Sequence, residues 1–155
     1  IGCYVLWLFI KYFWKVESLN LKVHELLIII IAKWIIIIFG IFIICSGFIM
    51  LFAPTKARQI LRKAGSTNFI NYAEITIRMI PAAGIIIYSD FSGYPAAFNI
   101  FGWFMLITSF ILYFIPRKIH HGFSLKCADI IKPVYFQIIS LFAFLFGAVL
   151  IFCVT

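Results

Sequence analysis

The sequence predicts an all-α integral membrane protein. Its expected form is a four-helix transmembrane bundle made of two tandem two-span repeats, preceded by an apolar segment that adds a fifth span if it crosses. Three observations predict this. Hydrophobic residues make up 65% of the chain and charged residues 12%, against roughly 25% charged in soluble domains. A chain of 155 residues cannot hide that much apolar surface in its own core, so lipid must cover it. The stretch Ile38–Lys56, IFGIFIICSGFIMLFAPTK, returns 62 residues later as Ile100–Lys118, IFGWFMLITSFILYFIPRK, with nine identities in nineteen positions. Both copies end at a proline, Pro54 or Pro116, and run into basic residues, the usual sign of a span leaving the membrane on its cytoplasmic side.

The first segment, Ile1–Trp14, is apolar and aromatic, broken by Lys11. As a helix it rises about 21 Å, short of the roughly 30 Å hydrocarbon layer. It reads as the tail of a longer span or as an interfacial helix anchored by Trp7, Tyr12, Trp14, Lys11 and Lys15. No small-residue cleavage site follows, which argues against a cleaved signal peptide. The polar stretch Val16–His24 reads as a turn, with Glu17, Ser18 and Asn20.

Leu26–Ala53 is then apolar except for Lys33, and Trp34 offers an interface anchor. Trp34–Ala53 has the length of one span, which leaves the isoleucine-rich stretch before it as surplus apolar surface. The second span is expected over Phe69–Tyr88, kinked at Pro81. Ser89–Ala97 reads as a short turn, Phe98–Ile115 as the third span, and Val134 onward as the fourth. Tyr72, Glu74, Ile75 and Gly84 match Tyr135, Gln137, Ile138 and Gly147 at a shift of 63, a weaker extension of the repeat. The resulting organisation is 1–33 for the N-terminal segment, 34–97 for the first repeat and 98–155 for the second.

With two spans per repeat, both copies insert the same way. Their relation is expected to be a pseudo-two-fold about the membrane normal. Loops 55–68 and 117–132 then share one face. Their positive charge places them in the cytoplasm, or in the matrix if the membrane is an organelle's inner one. The net charge of +8 sits at the ends of apolar runs, which reads as topology and anionic-lipid contact and not as a nucleic-acid surface.

Candidate functional residues are few. Glu74 and Arg78 stand four apart, share a helix face and are expected to form an intramembrane ion pair. Lys56, Arg58, Arg62, Lys63, Arg117, Lys118, His120 and His121 are expected to meet lipid headgroups. Adjacent histidines point about 100° apart on a helix and make no two-ligand metal site by themselves. Gly40, Ser46, Gly47, Gly84, Gly102, Thr108, Ser109 and Gly147 are expected to let helices pack closely. Cys3, Cys45, Cys127 and Cys153 lack CxxC spacing and read as small buried hydrophobes. No nucleophile elbow, phosphate loop, dinucleotide fingerprint or HExxH appears.

The duplicated hairpin, from about Trp34 to Thr155, is similar to those of small four-span bacterial inner-membrane proteins, a resemblance that implies no particular activity. A bacterial inner membrane is the expected location, with an organelle inner membrane as the alternative. The expected role is a small accessory subunit of a larger membrane complex, without catalysis or cofactor of its own. Its partners would be lipids, including bound phospholipid, and other subunits met through residues 1–31 and a face of the bundle. The alternatives are a small oligomeric transporter or channel, or a membrane enzyme or binding protein acting on lipid or quinone.

Overall fold

The structure, a computed structural model, describes the backbone of residues 2–155 and the side chains of residues 11, 12, 15 and 21–155. Six α-helices follow one another: α1 (Gly2–Phe52), α2 (Pro54–Lys63), α3 (Asn68–Tyr88), α4 (Pro95–Phe114), α5 (Arg117–Ile130) and α6 (Pro133–Phe152). A single 3-10 turn, Ser89–Phe91, precedes α4. Among the described residues there is no strand. Among the described residues, four stretches are long and apolar enough to cross a membrane: Leu21–Phe52, Asn68–Phe91, Pro95–Phe114 and Pro133–Phe152. The chain divides into two compact units, Ile1–Ile31 and Ala32–Thr155.

The turn expected over Val16–His24 is helix, part of an α1 that runs 51 residues without a break. That stretch holds neither Gly nor Pro, and the helix penalty of Ser and Asn is only a fraction of a kcal/mol each. The anchoring expected of Trp7 and Trp14, and the question whether 1–14 crosses, fall outside the described residues. The loops expected over 55–68 and 117–132 are mostly helix too. Prolines open α2, α4 and α6 at their first turn, where the missing N–H is unneeded and the fixed φ suits the helix. Thr67 caps α3, its hydroxyl oxygen accepting from the Ile70 amide at 3.2 Å. Pro81 is buried inside α3, which continues through it.

In the unit from Ala32 onward the spanning helices touch through glycines and aromatics. Gly84 of α3 faces Ala32 and Ile35 of α1, and Gly102 of α4 faces Ile85 and Ile86 of α3. Phe101 of α4 meets Phe146 of α6 edge to face at 5.0 Å. The closest approach is between α1 and α6: a Cβ on Gly147 would lie 2.8 Å from the Gly40 carbonyl oxygen. Only glycine permits that backbone contact. The order around the bundle is therefore α1, α3, α4, α6.

Burial recurs with a fixed spacing. Ile36, Gly40 and Gly47 on α1, and Phe98, Gly102 and Ser109 on α4, are buried positions 62 apart. Asn71, Ile75, Ala82 and Ile85 on α3, and Phe136, Ser140, Gly147 and Leu150 on α6, are buried positions 65 apart. At the shift of 63 read from letters, buried Asn71 and Ile75 fall on exposed Val134 and Ile138, whereas buried Gly84 falls on buried Gly147. Between the spans, α5 has 14 residues and α2 has 10. Of the cysteines expected to be buried, Cys153 is buried, whereas Cys127 is half-exposed and Cys45 exposed on the apolar surface of α1; Cys3 lies outside the described side chains.

Candidate functional site

Two features carry polar chemistry in the four-span unit, a cap and a cavity. The cap forms where α2 lies against α5 beside the ends of the spans. Its interior is small: Ala57 on α2 and Ser124 and Ala128 on α5 are buried. Helix ends leave carbonyls without intrahelical donors, and basic side chains supply them here. Arg58 Nε donates to the Ala128 carbonyl at 2.6 Å, and Arg117 donates to Ser66 O at 2.8 Å. The His121 ring nitrogen Nδ1 meets Ala64 O at 2.8 Å, and the Ser124 hydroxyl donates to Leu61 O. His120 Nδ1 meets Asn71 Oδ1 at 2.7 Å, tying α5 to the buried start of α3. Arg58 and Arg62 also flank Asp129, at 3.6 and 3.2 Å. Gly65 makes the turn beneath these contacts. It has φ +66°, and a Cβ there would stand 3.1 Å from His120 Nδ1, so both the conformation and the space select glycine.

Of the residues expected at headgroups, Arg58, Arg117 and His121 reach carbonyls at the ends of α2 and α5 or in the α2–α3 turn, His120 meets the Asn71 side chain and Arg62 pairs with Asp129. Lys56, Lys63 and Lys118 are exposed and make no hydrogen bond or ion pair among the described residues.

The cavity is an open groove between the spanning helices, with a volume of about 440 Å³. Phe39, Phe42, Ile43, Ser46 and Met50 of α1 line one side, and Phe104, Met105, Thr108 and Ser109 of α4 the other. Arg78 of α3 and Ala143 of α6 complete it. Its walls repeat the two spacings. Phe42 with Phe104, Ile43 with Met105, and Ser46 with Thr108 are 62 apart, whereas Arg78 and Ala143 are 65 apart. The pairs 62 apart are alike in kind, whereas Arg78 and Ala143 differ. Glu74 likewise corresponds to Ile139. Arg78 Nη2 donates to Glu74 Oε1 at 2.8 Å on the same face of α3.

The hydroxyls differ in what they have left to give. Ser46 donates to Phe42 O at 2.8 Å and Thr108 to Phe104 O at 2.7 Å, so both spend their hydrogens on their own helices. Ser109 is 2% exposed, lines the cavity, and has no hydrogen-bond partner among the described residues. The packing role expected for Ser46, Thr108 and Ser109 therefore divides: two serve their own backbone, and one faces the cavity with its donor free. Gly40, Gly47, Gly84, Gly102 and Gly147 each sit against a neighbouring helix.

Sequence reasoning did not single out Asn71, Ser124 or Asp129. Asn71 carried a signal, being a polar residue at the start of an apolar span. Ser124 and Asp129 looked like ordinary loop residues. Among the described residues no group of three or more His, Cys, Asp or Glu could hold a metal ion. Comparison with known proteins finds no matching family model, no similar curated protein and no similar solved structure.

Proposed function

We propose that this chain is a small accessory subunit of a larger membrane assembly, working through its apolar helix faces. The observation that carries this reading is the length of the first apolar helix. Leu21–Phe52 is 32 residues, about 48 Å at about 1.5 Å per residue. Lys22, His24 and Glu25 stand at its start, so its apolar part is Leu26–Phe52, which upright reaches about 40 Å, beyond a layer of roughly 30 Å. Leu21, Val23, Leu26, Leu27, Ile28, Ile30 and Ile31 are all exposed. Apolar helix that lipid cannot cover is stable only against another polypeptide.

The same proposal includes two tandem span–helix–span repeats about a pseudo-two-fold, supported by the burial spacings of 62 and 65. It places the cap on the cytoplasmic side of a bacterial inner membrane, or the matrix side of an organelle's. Exposed Lys56, Lys63 and Lys118 would meet phospholipid headgroups there.

The test is co-purification in mild detergent of the intact chain and of a variant carrying Leu26→Gln, Leu27→Gln, Ile30→Gln and Ile31→Gln. Trp34–Phe52 still reaches about 28 Å, so the variant keeps its span. The expected result is a fixed-stoichiometry complex with the intact chain and its loss with the variant. A lone monomer, or association that the four changes leave untouched, overturns the subunit reading.

A further inference from the structure

The geometry points to a ligand site in the bundle cavity for an uncharged, apolar molecule that presents a carbonyl oxygen. The site stands independently of the subunit reading, because it rests on other residues. Its first support is the unspent donors. Ser109 is buried with a hydroxyl hydrogen that nothing in the described residues accepts. The Arg78 guanidinium has five N–H groups and gives one hydrogen bond, to Glu74. Both side chains line one cavity. A donor left unmet in apolar surroundings is unfavourable, so a bound acceptor relieves the Ser109 hydroxyl and adds a partner for Arg78.

The second support is the cavity's size against its polarity. A volume of about 440 Å³ is within the roughly 300–1,000 Å³ of small-molecule sites. Buried water needs two to four polar partners each. Ser46 and Thr108 have given their hydrogens to their own helices, and phenylalanine, isoleucine and methionine make up most of the wall. An apolar body with one acceptor is matched by the walls and by the two donors.

The third support decides the ligand's charge. Glu74 already neutralises Arg78. An anion would add an uncompensated negative charge beside that carboxylate in a region of low dielectric. A neutral carbonyl accepts from Arg78 and Ser109 and leaves the ion pair intact. Two sources share this chemistry: the acyl ester of a membrane lipid, and a freely diffusing lipophilic ketone or quinone. The repeat spacing puts Ala143 opposite Arg78, so the site is one-sided and orients its ligand with the oxygen toward α3 and α4.

The experiment titrates the purified full chain in detergent micelles with decyl-benzoquinone, with monodecanoyl-glycerol and with decyl phosphate, following heat of binding and thermal unfolding. Saturable binding of one or both carbonyl probes is expected, and the stronger names the source. Ser109→Ala should weaken it about two- to tenfold, the worth of one neutral hydrogen bond. Glu74→Gln should change it less than about twofold, since the ligand is uncharged. Ala143→Phe should abolish binding by filling the cavity. Ser109→Ala removes a single atom and keeps the fold, so the test does not depend on how Ala143→Phe folds. Failure of both carbonyl probes to saturate overturns the site, as does full affinity in Ser109→Ala. Preferential binding of decyl phosphate, strengthened by Glu74→Gln, replaces it with an anion site.

Discussion

Arg78 and Glu74 form an ion pair within the spanning helix α3, and its energetics depend on its incomplete burial. Their side chains are 51% and 27% exposed, so the pair faces the cavity mouth and lipid more than a closed core. A lone charge at the centre of a span costs about 2.5–3.5 kcal/mol on insertion scales, and less where the side chain can reach an interface. Glu74→Leu strands Arg78, whereas Glu74→Leu with Arg78→Leu removes both charges. Thermal unfolding in mild detergent should therefore show the single variant less stable than the double by about 1–3 kcal/mol. A double variant as unstable as the single would mean that Arg78 contributes to the fold beyond its pairing with Glu74.

At the scale of elements, the short helices α2 and α5 are what the sequence left as loops. Each is too short to stand alone in water. They persist because each supplies what the other lacks, carbonyls at one end and cationic donors at the other. The contacts are unequal. Arg58 reaches a carbonyl that has no other donor, at 2.6 Å, and a charged donor to such a group is worth about 1.5–3 kcal/mol. Asp129 is 58% exposed, and surface pairs of this kind contribute about 0–1 kcal/mol. Arg58→Ala should lower the unfolding free energy clearly more than Asp129→Ala in the same detergent. Equal losses would mean that the ion pairs, and not the carbonyl bond, hold the cap.

For the whole molecule the open question is sidedness. All eight Lys and Arg between positions 55 and 132, apart from Arg78, lie in the cap or its borders, and the opposite turn, 89–97, has Asp90 and no cation. The asymmetry predicts a cytoplasmic cap. Cys127 is half-exposed in the cap, while Cys45 and Cys153 sit on spanning helices or at their ends. In a Cys3→Ser background, an impermeant thiol reagent should label Cys127 only after the membrane is opened. Labelling in intact cells would invert the topology and turn Lys56, Lys63 and Lys118 away from the cytoplasmic leaflet.

The residue pattern alone determined that this is a helical membrane protein, that four apolar stretches can span, and where most of them end. Those properties are local: the length of an apolar run, a proline at its border and a cation beyond it are read without knowing the neighbours. The pairing of Glu74 with Arg78 was legible for the same reason, since four residues is one helical turn. Tertiary structure decided the rest. Arg58, Arg117, His120 and His121 bond inward because carbonyls 49 to 70 residues away along the chain come to rest beside them, and no spacing in the sequence reports such a meeting. The spacing of 65 between buried positions on α3 and α6 is visible only in burial, because so few residue types fill these helices that letters match by chance at several shifts. The free hydroxyl of Ser109 became distinct from those of Ser46 and Thr108 only when each hydrogen was traced to its acceptor. A hydroxyl in an apolar run is the same letter whether it serves its own helix or faces a cavity, and the packing of four helices makes the difference.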